Sequence, residues 1–171
     1  MGKEAVDELG WFQFLILSLS LGGTFIRSPD MKHLVIEMIG EMVGELSGKV
    51  TVQRLVRHYG GELMLERTIE EKGKILGEEV TFIATTYAKE RPQGGMAIKG
   101  DGVMMTRNGE KVKLHGSGIT LKGKGAGQSI RGIRYAQTTA PSLVRLNDVA
   151  LVFEIEISPD GMMHEKIWEW K

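Results

Sequence analysis

Apolar side chains recur at every second position through most of the chain beyond residue 48. Successive side chains of a β-strand point to opposite faces, so this period of two is typical of strands rather than helices. The alternation predicts eight strands, at 49–58, 62–70, 79–88, 96–106, 111–121, 129–137, 149–157 and 163–170. Strands that follow one another without helical crossovers are typical of an all-β, antiparallel meander.

The connections between these strands contain glycine where tight turns need it. Gly60-Gly61 and Asn108-Gly109 are typical of two-residue hairpin loops, because such turns require positive φ. Pro159-Asp160-Gly161 predicts a hairpin loop of two or four residues. Neighbouring strands are therefore expected to be antiparallel. Because sheet edges must be closed or covered, the predicted fold class is an eight-stranded up-and-down barrel.

A glycine-rich region lies between residues 94 and 132 and includes Gly100-Asp101-Gly102 and Gly116-Ser117-Gly118. A phosphate-binding loop must leave a strand and open a helix, and no helical pattern follows here. We therefore interpret these glycines as positions where strands bend or approach one another closely.

The chain that precedes the predicted strands has a different character. Residues 1–30 form an apolar extension without a charged side chain at 9–26, and the apolar spacing at 30–45 predicts a short helix or linker at 31–47. Three interpretations of the extension stay open: a membrane anchor through 9–26, an apolar helix packed on the domain or on a partner, and a true start at Met31. The barrel domain is assigned to 48–171.

The amino-acid composition argues against several classes of function. Lys and Arg together number 22, as do Asp and Glu, so no global charge steers the chain to nucleic acid. The absence of cysteine excludes a disulfide-stapled secreted fold, which favours the cytoplasm, with membrane association through 9–26 as the alternative. The four histidines are far apart, so we expect neither a metal nor a cofactor. A homo-oligomer stays an open alternative.

Hairpin register assigns candidate binding residues to the faces of the barrel. With Gly60-Gly61 as a two-residue loop, Arg54 faces Arg67 on the apolar face, which also carries His58. Two like charges enclosed together are unfavourable, so we expect a negative group between them.

Asp101 is a candidate for that negative group. With Asn108-Gly109 as a two-residue loop, Asp101 lies opposite Gly116 on an otherwise apolar face. Two interpretations follow. Asp101, together with Glu169, neutralises the two arginines in an internal polar network, or the arginines bind the carboxylate of a ligand.

The end of the chain places aromatic side chains together. Pairing across Pro159-Asp160-Gly161 puts Trp168 and Trp170 on the same face as Phe153, whether the loop has two residues or four. The tryptophans then line a ligand cavity or close the core of the barrel.

Three stretches carry a resemblance to a known group of proteins: GVMMTRNGE at 102–110, LVRLNDV at 143–149 and WEWK at 168–171. Over residues 48–171 the chain resembles an uncharacterised family of small archaeal and bacterial proteins. That family has no assigned activity, so the resemblance implies no catalytic residue. More loosely, the meander is similar to the calycin and allene oxide cyclase type of barrel, which implies a lumen for small apolar molecules.

The leading hypothesis is a binding protein whose lumen holds a small apolar carboxylate. The head group is assigned to Arg54 and Arg67. The tail is assigned to Phe153, Trp168 and Trp170.

Two other functions remain open. One is a cofactor-free isomerase or cyclase in the same lumen, with Asp101 or His58 as acid or base. The other is a structural or oligomeric interaction protein whose barrel is simply packed. Whether the chain is an enzyme is therefore undecided at the level of sequence.

Overall fold

The computed structural model describes residues 40–57, 63–122 and 127–170. These residues form eight strands: β1 (Met42–Arg57), β2 (Leu63–Ile75), β3 (Glu78–Glu90), β4 (Met96–Thr106), β5 (Lys111–Lys122), β6 (Gln128–Thr138), β7 (Ala150–Ile157) and β8 (Met162–Trp170). Consecutive strands pair antiparallel, and β8 pairs with β1, so the sheet closes. The predicted all-β, eight-stranded antiparallel barrel is confirmed.

The first strand begins earlier than the alternation predicts. β1 starts at Met42, so the helix or linker expected at 31–47 is wrong for residues 42–47. An irregularity between Met42 and Gly44 in the pairing with β8 interrupts the alternation, and both Val43 and Leu46 are buried. This three-residue spacing imitates a helical period.

Residues 1–39, with the uncharged stretch at 9–26, lie outside the described residues. In the part of the chain that is described, no helix is long and apolar enough to cross a membrane.

The hairpin loops differ from the predicted ones by one residue. At the β4–β5 turn, Thr106 N donates to Glu110 O at 3.0 Å, Gly109 N donates to Thr106 O at 3.0 Å, and Gly109 has φ +83°. The loop is therefore three residues long, a tight turn followed by a glycine in the left-handed region. The β7–β8 turn is built in the same way, with Ser158 paired to Met162 and Gly161 at φ +84°.

One residue of loop length reverses the faces of a whole strand, because side chains alternate with a period of two. Asp101 pairs with His115 instead of Gly116. Val152 pairs with Trp168, which leaves Phe153 opposite Ile167.

The first hairpin also differs in register from the two-residue prediction. Arg54 pairs with Glu66, and Arg67 pairs with Gln53. The predicted loop at Gly60-Gly61 and the candidate His58 both lie within 58–62, outside the described residues. A further register shift between Val50 and Val52 changes the pairing again towards the start of β1.

One end of the barrel is closed by the segment that connects β6 to β7. It contains a 3₁₀ helix, Val144–Asp148, and Leu143 and Leu146 are fully buried. On the same segment, Arg145 Nε lies 2.6 Å from the buried Glu169 Oε1, and Arg145 Nη2 lies 3.0 Å from Glu41 Oε2. The cavity of the lumen is lined by residues from the middle and the opposite end of the strands, such as Val50, Ile98 and Ile157.

Candidate ligand site in the barrel lumen

The lumen contains a cavity of about 60 Å³. Its wall is mainly apolar and includes Phe82 and Phe153, and it reaches Ile157 at the last position of β7. A single water molecule needs on the order of 10–15 Å³ of such space, so the cavity has room for several waters or part of a small ligand.

Three charged side chains line the cavity from within, those of Arg67, Glu71 and Arg134. Arg67 and Glu71 both come from β2, four residues apart on the same face. Arg134 comes from β6. Asp101 also borders the cavity, but its side chain is 78% exposed on the outside of the barrel.

Arg134 forms a buried ion pair with Glu165 of β8. Nη2 donates to Glu165 Oε1 at 2.6 Å and Nη1 donates to Oε2 at 3.1 Å, which is the paired geometry of a guanidinium on a carboxylate. Arg134 is 7% exposed and Glu165 is fully buried. Because each charge satisfies the other, the pair is tolerated in the interior, whereas either one alone would be costly there.

Two phenylalanine rings also contact the Arg134 guanidinium. Its central carbon lies 4.3 Å from the centroid of Phe153 and 5.2 Å from that of Phe82. Such cation–π contacts are strongest where water is excluded.

The glycine-rich strands make room for these inward-pointing side chains. A Cβ at Gly102 would collide with the ring of Phe82, and one at Gly132 would lie 2.5 Å from Phe153 Cζ. A Cβ at Gly116 would lie 2.8 Å from Arg134 Cβ. The close approach expected of the glycine-rich region is therefore present, and it serves the packing of the lumen.

Glu71 lies beside this pair. It is 2% exposed, and no donor group among the described residues reaches either of its side-chain oxygens. Burial, followed by the nearby negative charge of Glu165, raises the pKa of Glu71 to about 8.

A proton on Glu71 explains how two buried carboxyl groups can lie together. Two carboxylates are both acceptors, so no hydrogen bond can join them until one is protonated. Burial raises the pKa of Glu165 as well, but the Arg134 guanidinium contacts Glu165 directly and favours its ionised form. The shared proton therefore resides on Glu71, which can donate it to Glu165.

Arg67 lies nearer the start of β2 than Glu71 does. Its Nε donates to Gln53 Oε1 at 2.9 Å, and no carboxylate among the described residues lies within ion-pair distance of it. Burial lowers the pKa of the half-buried Arg67 guanidinium. The described residues thus leave this internal cation without an anionic partner.

Arg54 does not join Arg67 in the lumen. It lies on the outer face, 65% exposed, where Nε donates to Glu66 Oε1 at 2.5 Å. The prediction that the two arginines face each other inside the barrel is therefore wrong, because the register of β1 against β2 differs by one residue.

The predicted placement of Asp101 is also wrong. Its Oδ1 lies 2.7 Å from His115 Nδ1 on the outer surface. Glu169 is buried as expected, but its partner is Arg145, so neither carboxylate neutralises Arg54 or Arg67.

The two tryptophans point away from the lumen. Trp168 is partly exposed and Trp170 is 55% exposed, because the three-residue β7–β8 loop places both on the outer face. Phe153 is buried and lines the cavity as predicted. The shared aromatic face expected of Phe153 and the tryptophans is therefore wrong.

Sequence reasoning missed Glu71, Arg134 and Glu165. A signal for two of them was present: Glu165 alternates with the buried Met163 and Ile167, and Glu71 follows Ile69 at the same spacing. A charged residue two positions from buried apolar residues shares their face of the strand. It indicates a charged group inside the barrel once it is known which face points inward.

A scan of the chain against models of known protein families finds no match, and neither does a search of curated protein sequences. Solved structures do match. A protein of unknown function from Clostridium acetobutylicum is similar with a TM-score of 0.64 at 14% identity, over 77% of this chain and 95% of that one.

Two further solved structures give the same result. A conserved protein of unknown function from Rhodopseudomonas palustris has a TM-score of 0.63 at 12% identity, over 75% of this chain and 95% of that one. A β-barrel-like protein from Acinetobacter baumannii has a TM-score of 0.64 at 11% identity, over 77% of this chain and 94% of that one. These likenesses show that the chain shares its fold with small β-barrel proteins from bacteria.

Proposed function

We propose that the protein binds a small carboxylate ligand in the lumen of the barrel, with the carboxylate on Arg67 and the apolar body against Phe153 and its neighbours. Of the residues suggested by the sequence, Arg67 and Phe153 line this cavity. Arg54, Trp168 and Trp170 lie on the outer face, so the proposal assigns them no contact with the ligand.

The state of Arg67 is the observation that supports this function most directly. Among the described residues, the half-buried Arg67 guanidinium has a hydrogen bond to the neutral amide of Gln53 and no carboxylate partner. Buried charges are normally paired, so a negative group is expected to complete its surroundings. A carboxylate fits the planar fork of its donors.

The shape of the cavity supports the apolar part of the ligand. Beyond Arg67 the wall consists largely of aliphatic side chains such as Ile69 and Ile98, together with the rings around Arg134. With about 60 Å³ available, the part of the ligand that the cavity encloses is short, a chain of a few carbon atoms.

Hexanoate and its uncharged counterpart hexanamide test this function in NMR titrations of the full chain. We expect hexanoate to bind more tightly than hexanamide, and Arg67→Met to weaken hexanoate binding at least about tenfold, because a charge-assisted hydrogen bond is lost. Arg54→Met is the matched control, since Arg54 lies on the adjacent strand but outside the barrel, and it should leave the Kd unchanged.

The proposed function is wrong if hexanoate and hexanamide bind equally, or if Arg67→Met and Arg54→Met have the same effect. Absence of binding by both probes would favour the alternative of a packed barrel with a structural role.

Glu71 favours a second candidate, a cofactor-free isomerase or cyclase in the same lumen. A protonated carboxyl beside an ionised one is suited to proton transfer, and this role moves from the exposed Asp101 to Glu71. His58 lies outside the described residues and stays a candidate. Levulinate in D₂O tests it by NMR: the protein should accelerate exchange of the hydrogens next to the ketone, and Glu71→Met should abolish the acceleration. Exchange at the buffer rate would exclude proton transfer on this ketone.

A further inference from the structure

We propose that the lumen contains a second polar subsite, in which the free oxygen of Glu71 accepts a hydrogen bond from a hydroxyl group at the far end of the ligand. The ligand class is then a small ω-hydroxy acid, with its carboxylate on Arg67 and its hydroxyl on Glu71. This inference rests on the proposed function, because Arg67 must hold the carboxylate.

The first support is the unsatisfied state of Glu71. Both of its oxygens are buried, no donor group among the described residues reaches either of them, and the side chain lines the cavity. Buried polar atoms in native proteins nearly always have a partner, so one is expected from the contents of the cavity.

The groups that surround Glu71 determine which kind of partner fits. Its neighbours across the sheet, Gly48 on β1 and Phe82 on β3, carry no charge. The charged groups that face it from other strands are Arg134 and Glu165. Arg134 donates to both oxygens of Glu165 and makes no hydrogen bond to Glu71, so it is not the partner that Glu71 lacks.

A protonated Glu71 has one donor and one free acceptor. The donor is directed to the carboxylate of Glu165, which leaves the carbonyl oxygen of Glu71 as an acceptor for the cavity. A ligand hydroxyl can donate to that oxygen, whereas a methyl group in the same place would leave it unsatisfied.

The two polar subsites lie along one strand. Four residues of extended chain place the Cα atoms of Arg67 and Glu71 about 13 Å apart, with Ile69 between them on the same face. The two ends of the ligand are therefore polar and its middle is apolar, as in an ω-hydroxy acid.

The test compares ω-hydroxyhexanoate with hexanoate in NMR titrations of the full chain. We expect the hydroxy acid to bind about tenfold more tightly to the native protein. Glu71→Met should remove this preference. Glu71→Gln should retain it, because its amide can donate to Glu165 through nitrogen and accept from the ligand through oxygen.

Glu66→Gln is the control, because Glu66 lies on the outer face of the same strand. Equal binding of the two acids to the native protein, or a preference that survives in Glu71→Met, would overturn the hydroxyl subsite. Hexanoate binding that still depends on Arg67 would leave the proposed function intact in either case, whereas loss of all hexanoate binding would overturn that function itself.

Discussion

Arg134→Met is expected to lower the free energy of unfolding by about 3–5 kcal/mol, because it leaves the Glu165 carboxylate buried without its counter-charge. It also removes the cation that contacts the rings of Phe82 and Phe153. Urea unfolding at neutral pH, followed by circular dichroism, measures this change.

Two comparison variants separate the charge effect from a general effect of losing an arginine. Arg54→Met removes an exposed arginine that also has a carboxylate partner, and should barely move the urea midpoint. The double variant Arg134→Met with Glu165→Leu removes both charges and should recover much of the lost stability. Equal loss in Arg134→Met and Arg54→Met would contradict the buried ion pair.

The stability of the native protein is expected to fall as the pH rises from about 4.5 towards 8 because of Glu71. In the folded state its pKa is raised to about 8, from the 4.5 of an ordinary glutamate. Between these pH values the unfolded chain releases a proton that the folded protein keeps, so alkaline conditions favour unfolding. A difference of one bound proton changes the free energy of unfolding by about 1.4 kcal/mol per pH unit.

Glu71→Gln isolates this contribution. The variant should be more stable than the native protein near pH 8. The difference in stability should vanish as the pH falls through 4.5, because Glu71 is then protonated in both the folded and the unfolded protein. Glu79→Gln, a change of a side chain that is 63% exposed, should retain the native pH dependence. Parallel stability curves for the native protein and Glu71→Gln would show that Glu71 is ionised in the folded state.

Part of the candidate site could be predicted from local patterns. The alternation predicts that Arg67 and Phe153 each lie on an apolar face, and both line the cavity. The interior positions predicted for Arg54, Asp101 and the tryptophans depended on hairpin registers that differ from the observed ones, so these predictions are wrong. His58 stays an untested candidate outside the described residues.

The acid–base cluster could not be assembled from the sequence, since its members are distant in the chain. Glu71, Arg134 and Glu165 come from β2, β6 and β8 and meet in the interior. Only closure of the sheet brings these strands across the lumen from one another. The raised pKa of Glu71 follows from that meeting and from burial, so it too is a property of the tertiary structure.

The sequence by itself determined the number, order and antiparallel pairing of the strands, because alternation and turn glycines are local signals that do not depend on distant contacts. The tertiary structure decided which face of each strand points inward. The three-residue loops at Gly109 and Gly161 shift the pairing by one residue, and one residue exchanges inside for outside. Closure of the barrel then selected the faces that bury Glu71, Arg134 and Glu165 together, because side chains can share a lumen only after β8 has paired with β1.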